Sequence, residues 1–274
     1  KLINAFRLKV LLTLSEKEGM NDGSEFASIY QNEPLMESVE ESGQLVFLDQ
    51  QGNRYPNFNS SSFSSGMYMD STFIKRLQDR EDPRLFIYST QTKSAKEAGK
   101  EINDFSAYEG GDPAAPYAEV NEKATEGNVS KVNDRYHRDP VNEPYVLLGY
   151  SEQQLILAEA ATKGWINADA GMLYESVVKA SFRFYEMYAE NYSSYVGESD
   201  AENYLSKPIN DFTMAQTEEE QLQLIIMQKY LQSFFQLGWT SYFDHLRTGG
   251  YPSFRRPAGV EIPYRWIYPQ SEYN

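Results

Sequence analysis

The feature that most constrains the fold is a pair of helical stretches, residues 151–163 and 167–187, separated by Gly164. Apolar residues recur along both at α-helical spacing, and glycine suits the left-handed position that commonly ends a helix. Small residues let two such helices approach closely, so the stretches are predicted to form an antiparallel hairpin. The packed positions are expected to be Ala158, Ala161, Leu173, Val177 and Ala180. This pattern of small and apolar residues loosely resembles that of a tetratricopeptide hairpin.

The hairpin lies within the last of three zones that differ in composition. The first, residues 1–42, indicates a helical start, and the second, residues 43–144, is a loop-rich insertion. The third, residues 145–274, is a helical scaffold that ends in a coil-rich tail. The sequence therefore predicts a single, mainly α domain.

The bounds of individual helices are predicted from helix-capping and helix-breaking residues. Helices are predicted over residues 1–15, 70–80 and 217–246, the last opened by a capping box, and a strand-like run over residues 44–49. Ser151 with Gln154 resembles a second capping box. A helical segment continues to about residue 32 after a break at residues 19–23, and Pro34 is expected to restart a short helix to Glu41.

Charge and composition exclude several classes of function. The chain has 274 residues, with 25 Lys and Arg against 40 Asp and Glu, and a net charge of −15. Nucleic acids and anionic membrane surfaces both attract basic proteins, so neither is an expected partner. No apolar run is long enough to span a bilayer. The absence of Cys excludes disulfides, thiolate zinc sites and thiol nucleophiles within this sequence.

Catalytic and metal motifs are also missing. His137 and His245 have no HExxH-like neighbours, and the sequence contains no nucleophile elbow, P-loop or dinucleotide fingerprint. The turn Asn21-Asp22-Gly23-Ser24-Glu25 could offer oxygen ligands to Ca²⁺, but it lacks EF-hand spacing and glycine at a turn explains it more simply. We therefore expect no cofactor and no enzymatic activity.

Short strings in order along the chain resemble the SusD/RagB family of Bacteroidetes outer-membrane lipoproteins. Where a Gly-x-Glu-Ala-Trp-like string is expected, this chain instead has Gln236-Leu237-Gly238-Trp239. The strings are Asp82-Pro83-Arg84, Glu143-Pro144-Tyr145-Val146-Leu147-Leu148, Tyr150-Ser151-Glu152, Ala158-Glu159-Ala160, Gly164-Trp165, Gln228-Lys229-Tyr230-Leu231, Arg247-Thr248-Gly249 and Ile262-Pro263-Tyr264-Arg265.

The resemblance implies a noncatalytic, surface-exposed protein on a tetratricopeptide-like scaffold. Its ligand would be an oligosaccharide or polysaccharide, delivered to a SusC-type TonB-dependent transporter in the outer membrane. It also implies that this sequence lacks the family's N-terminal part and the lipid-bearing Cys found there. Two alternatives stay open: a tetratricopeptide-like scaffold for protein interactions, and capture of a peptide or glycopeptide by the same fold.

Sugar binding requires flat aromatic faces beside amide, hydroxyl or guanidinium donors, a mixture found in two parts of the insertion. The first candidate is the segment 53–59 with its continuation, and the second is the Gly/Pro-rich stretch that follows. The competing interpretation is that these rings hold the loops onto the helices. The candidate residues are Arg54, Tyr55, Asn57, Phe58 and Tyr68 in the first group, and Tyr108 and Tyr117 in the second.

The three tryptophans are interpreted as structural. Trp165 follows the helix-ending glycine, Trp239 falls inside the predicted long helix, and Trp266 lies in the tail. Because an indole buries a large area, each is expected to anchor a segment against the scaffold.

Overall fold

Helices dominate the computed structural model, which describes residues 1–17, 19 and 23–273, with the side chains of residues 64–66 and 273 left aside. The helices are α1 (Leu2–Thr13), α2 (Ser24–Asn32), α3 (Ser61–Gly66), α4 (Ser71–Asp79), α5 (Arg84–Tyr88), α6 (Lys93–Glu97), α7 (Tyr117–Thr125), α8 (Arg135–Arg138), α9 (Tyr150–Thr162), α10 (Ala170–Tyr188), α11 (Glu198–Leu205), α12 (Glu218–Gln232) and α13 (Thr240–Arg247). Short 3₁₀ turns lie at Val39–Glu41, Phe105–Ala107, Glu190–Tyr195, Phe212–Met214 and Gln270–Tyr273.

One small sheet joins the insertion to the scaffold. Strands β1 (Gly43–Leu45) and β2 (Tyr145–Leu148) pair antiparallel, with Leu45 opposite Tyr145. The strand predicted over residues 44–49 therefore exists but is shorter. Because the two strands flank the insertion in sequence, their pairing closes the loop-rich zone at its base.

The predicted hairpin is confirmed by α9 and α10, which pack along each other. The Oγ of Ser151, at the start of α9, lies 3.5 Å from the backbone oxygen of Val177 in α10. Leu173, near the start of α10, packs instead with residues late in α9, so the two helices run antiparallel. Ala158, Val177 and Ala180 are buried. The mainly α fold class is likewise confirmed.

A buried polar network holds the insertion to the hairpin. Arg84 is fully buried and donates to both carboxylate oxygens of Asp82, at 2.6 and 2.9 Å. It also donates to the Oγ of Ser181 in α10 and to the Oε1 of Gln228 in α12, each at 3.0 Å. The Asp82-Pro83-Arg84 segment therefore has a structural role, because its hydrogen bonds join α5 to α10 and α12.

Two of the predicted helix starts are confirmed and one is wrong. Asp70 caps α4 by accepting from two backbone N–H groups, and Thr217 with Glu220 forms the capping box of α12. Ser151 is not a cap, because α9 already begins at Tyr150. Its hydroxyl donates instead to Gln232 of α12 at 2.6 Å.

The single helix predicted over residues 217–246 is wrong, because α12 ends at Gln232 and α13 begins at Thr240. Phe235 and Leu237 adopt positive φ values between them. The side chain of Gln236 accepts from the backbone N–H of Val146 and donates to Glu143 and Pro144. These tertiary hydrogen bonds outweigh the helical propensity of the segment.

The short helix predicted from Pro34 to Glu41 is also wrong, since only the turn at Val39–Glu41 forms. The side chain of buried Gln153 accepts from the backbone N–H of Met36 and donates to its carbonyl, both at 2.9 Å. These bonds replace the ones a helix would have made. The insertion in turn contains short helices that were not predicted, α3 and α5 to α8.

The tryptophans have unequal roles. Trp165 is half-buried and packs on Phe26 of α2 with ring centroids 5.6 Å apart, as predicted. Trp239 and Trp266 are 61% and 54% exposed, so the prediction that each buries a large area is wrong, although their rings contact each other. Trp239 is the residue just before α13 and does not lie inside a continuous helix.

Candidate functional site

Two predicted ligand residues are core residues instead. Tyr55 is only 5% exposed, and its ring lies 5.3 Å from Phe47 and 6.4 Å from Tyr136. Tyr108 is also buried, and its hydroxyl donates to the carbonyl of Ile102 at 2.7 Å. Burial raises the pKa of both phenols. Neither ring has a free face for a ligand, so their proposed stacking role is corrected.

Three other residues of the first group, Arg54, Asn57 and Phe58, lie in one loop of the insertion. Arg54 is exposed, and its guanidinium lies over the half-buried ring of Phe58 at 5.1 Å from the centroid. Its Nε donates to Asp49 at 2.7 Å. Asn57 is half-buried beside them. The guanidinium is thus already occupied by an aromatic face and a carboxylate.

A second surface is built around Tyr68, which pairs antiparallel with Lys131 through an isolated bridge. Residues directly opposite in such a pair project to the same face. The Nζ of Lys131 accordingly lies 5.9 Å from the centroid of the Tyr68 ring. Backbone and hydroxyl contacts from Thr90 hold Lys131 on its other side. This places an aromatic ring and an ammonium group together on a fixed backbone.

Helix α7 completes this surface. The hydroxyl of Tyr68 donates to the Oδ1 of Asn121 over 3.4 Å. Tyr117 lies one turn before Asn121 on the same face of α7, and its side chain is 70% exposed. We call Tyr68, Tyr117, Asn121 and Lys131 the tyrosine surface. It unites one residue from each sequence-predicted group, whereas Asn121 and Lys131 were missed because only the fold brings them there.

The position of α7 depends on close packing at Gly111. A Cβ atom at Gly111 would lie 2.5 Å from the Cγ1 of Val120. The next residue, Asp112, accepts two hydrogen bonds of 2.6 Å from Arg255 of the tail. Those bonds, together with one from the N–H of Ala114, lower the pKa of Asp112 to about 2. The ion pair between Arg255 and Asp112 thus holds the loop before α7 against the tail.

An exposed aromatic cluster lies elsewhere, at the start of α13. The centroids of Trp239 and Trp266 are 4.5 Å apart in an edge-to-face arrangement, and Tyr242 lies 5.7 Å from Trp266. Trp239 and Phe243 also line a groove of about 410 Å³ with apolar residues of α1, including Phe6. This surface was not predicted from the sequence, because Trp239 was expected to lie within a continuous helix.

The candidate Ca²⁺ turn falls partly outside the described residues, which exclude Asn21 and Asp22. Within the part of the chain that is described, no cluster of three or more His, Asp or Glu side chains could hold a metal ion. Over the same residues, no helix is both long and apolar enough to cross a bilayer.

The described residues thus form a tetratricopeptide-like helical scaffold with aromatic side chains exposed on its surface. The sequence matches the SusD-like family described as "Starch-binding associating with outer membrane" over residues 1–269, and the chain belongs to that family. No protein with a curated function matches the sequence.

Solved structures agree with this membership. An inferred outer-membrane protein of Bacteroides vulgatus, with an inferred role in nutrient binding, is 55% identical over the whole chain with a TM-score of 0.96. A SusD homologue of Bacteroides fragilis is also 55% identical over the whole chain, with a TM-score of 0.94. A chitin-binding protein is 25% identical over 99% of the chain, with a TM-score of 0.76. The chain spans 60% of the length of the first two and 57% of the third.

Proposed function

We propose that this protein captures an oligosaccharide or polysaccharide without chemically changing it, and that the tyrosine surface is where the glycan binds. The observation that most supports this proposal is the exposed ring of Tyr117. It lies one helical turn from Asn121, and Asn121 in turn contacts Tyr68. An exposed aromatic face takes the C–H face of a sugar, while amide and ammonium donors bind its hydroxyl groups. Family membership and the chitin-binding relative support a carbohydrate ligand.

Arg54, Asn57 and Phe58 are proposed as a second, weaker contact for a longer chain. The Phe58 ring is shared with the guanidinium of Arg54, which leaves less of its face for a sugar. Any glycan contact here is therefore expected to contribute less than contact with Tyr117. We expect affinities in the micromolar to millimolar range, because an open surface leaves one side of the sugar in water.

The proposal extends to the cellular setting. The protein would lie at the outer surface of the outer membrane, lipid-anchored through a Cys outside this sequence, and pass its glycan to a SusC-type TonB-dependent transporter. The support is the family description, which associates these proteins with the outer membrane.

A screen with soluble starch and chitin oligosaccharides tests the function, using isothermal titration calorimetry at millimolar ligand. Neutral pectin- and cellulose-derived oligosaccharides widen the panel, and synthetic peptides of similar mass provide the comparison class. Saturable binding of at least one oligosaccharide, with no peptide bound, supports the proposal. Peptide binding without any oligosaccharide binding would contradict it.

A second candidate function, a scaffold for a protein or peptide partner, is favoured by one observation. The groove between α1 and α13 is lined by exposed apolar side chains such as Phe6, Val10 and Phe243. A groove lined by aromatic and aliphatic side chains together is typical of the core of a protein interface. Under this alternative, peptides or glycopeptides would bind, and substitution of Phe243 rather than Tyr117 would weaken them.

A further inference from the structure

We propose that the glycan captured by the tyrosine surface carries carboxylate groups, as a uronic acid does, and that Lys131 selects them. This inference rests on the proposed function. Its origin is the position of Lys131, a half-buried residue whose Nζ lies 5.9 Å from the centroid of the Tyr68 ring.

Lys131 differs from the other cations around this surface. Lys123 pairs with Glu109, and Arg255 pairs with Asp112. Among the described residues, no carboxylate lies within ion-pair distance of Lys131. The ammonium of Lys131 is therefore available to a negatively charged ligand, whereas Lys123 and Arg255 are already paired.

The nearby carboxylates do not neutralise it. Asp70 accepts from the backbone N–H groups of Thr72 and Phe73 as the cap of α4. Glu119 and Glu122 of α7 are exposed, but each lies at least about 100° around the helix axis from Tyr117 and Asn121. The face of α7 that belongs to the tyrosine surface therefore carries an amide and a phenol, and the helix presents its acids elsewhere.

The backbone that carries the Lys131 side chain is also held in place. The backbone N–H of Lys131 donates to the hydroxyl of Thr90 at 3.3 Å, and its carbonyl accepts from the N–H of Thr90 at 2.9 Å. With Tyr68 paired on the other side, the base of the side chain is fixed before a ligand arrives. A carboxylate on a sugar stacked over the aromatic rings would lie near an ammonium whose backbone is already fixed, and charge-assisted hydrogen bonds are stronger than neutral ones.

The test compares a short oligogalacturonate with the same oligosaccharide fully methyl-esterified, which removes the charge and keeps the sugars. Calorimetry at low salt should show the acid binding about three- to tenfold more tightly than the ester. Added NaCl at about 0.5 M should remove most of this difference, because salt screens exposed ion pairs.

Three variants locate the effect. Lys131→Gln should abolish the preference for the acid, Lys131→Arg should retain it, and Lys123→Gln, which alters an already paired cation nearby, should leave it unchanged. Melting temperatures of all three check the fold. Equal affinity for acid and ester in the wild type, or a preference that survives in Lys131→Gln, would overturn the inference.

The two proposals fail in different ways. If neutral oligosaccharides bind and depend on Tyr117, but the carboxylate adds nothing, only the acidic preference is overturned. If neither the acid, the ester nor any other oligosaccharide binds, both proposals are overturned.

Discussion

The hydroxyl of Tyr68 lies 3.4 Å from the Oδ1 of Asn121, and this contact joins parts of the insertion that are 53 residues apart in sequence. Through it, Tyr68 and Tyr117 share one surface although neither is near the other along the chain. The long, loop-rich insertion is therefore not a set of independent loops. It folds onto itself and presents two phenol rings, an amide and an ammonium side by side.

The contact between Gly23 and Trp165 gives a stability prediction. Gly23 has a φ of 69°, and a Cβ atom there would lie 2.4 Å from the Cγ of the indole. Gly23→Ala should lower the free energy of unfolding by about 2–4 kcal/mol, from left-handed strain and overpacking together. Gly164→Ala is the control, because its φ is also positive but nothing lies within 4 Å. Urea unfolding should show the control losing only about 1–2 kcal/mol. Equal losses would show that the indole does not press on Gly23.

The buried partner of Arg84 gives a second prediction. Asp82→Asn leaves the guanidinium without a compensating charge, so the free energy of unfolding should fall by about 3 kcal/mol or more. Glu81→Gln removes the neighbouring but exposed ion pair with Lys207, and should cost less than about 1 kcal/mol. Chemical denaturation of both variants makes the comparison. A loss of similar size in the two would contradict a buried, charge-dependent network.

The α9–α10 interface gives a third. Ala158 is fully buried at this interface, so Ala158→Phe should cost about 1–3 kcal/mol or more by overpacking. Ala118→Phe, on the exposed side of α7, should change the unfolding midpoint little. Thermal melts followed by circular dichroism at the helical minimum distinguish the two. An unchanged midpoint for Ala158→Phe would contradict close packing of the hairpin.

This hairpin is also where sequence reasoning succeeded, and the physical reason is locality. The period of the apolar residues, the small residues and the caps at Asp70 and Thr217 all act within a few residues of the element they specify. Where a side chain from a distant segment binds the backbone, the local signal was overridden. Gln153 holds Met36 out of a helix, and Gln236 holds the chain out of a helix between α12 and α13.

The site was predictable only in part. Tyr68 and Tyr117 are half-buried and exposed and stay predicted ligand residues, but the same residue types also pointed to Tyr55 and Tyr108, which are buried. An aromatic residue in a polar loop has the same local pattern whether it faces water or anchors the loop. Asn121 could have been noticed, since it lies four residues after Tyr117 in a segment with helical propensity.

Acid stability follows from the environment of Asp244. Burial opposes ionisation of this carboxyl, but Lys229 at 2.9 Å and Arg247 at 3.0 Å more than offset it and lower its pKa. A lowered pKa in the folded state stabilises the fold above the unfolded pKa of about 3.9, and this contribution is lost as pH falls through the folded value.

The corresponding measurement compares the free energy of unfolding of wild type and Asp244→Asn from about pH 6 down to about pH 2.5. The advantage of the wild type should be greatest above about pH 4 and shrink below it. A difference that stays constant over the whole range would show that Asp244 is not held ionised by its two cations.

The central claim is that the exposed ring of Tyr117 binds glycan, and the most direct measurement is the Kd of Tyr117→Ala for the tightest oligosaccharide of the screen. Tyr264→Ala is the matched control, because Tyr264 is 83% exposed in the tail and takes no part in the tyrosine surface. We predict that Tyr117→Ala weakens binding about tenfold with an unchanged melting temperature, and that Tyr264→Ala binds as the wild type does. Wild-type affinity in Tyr117→Ala would contradict the account.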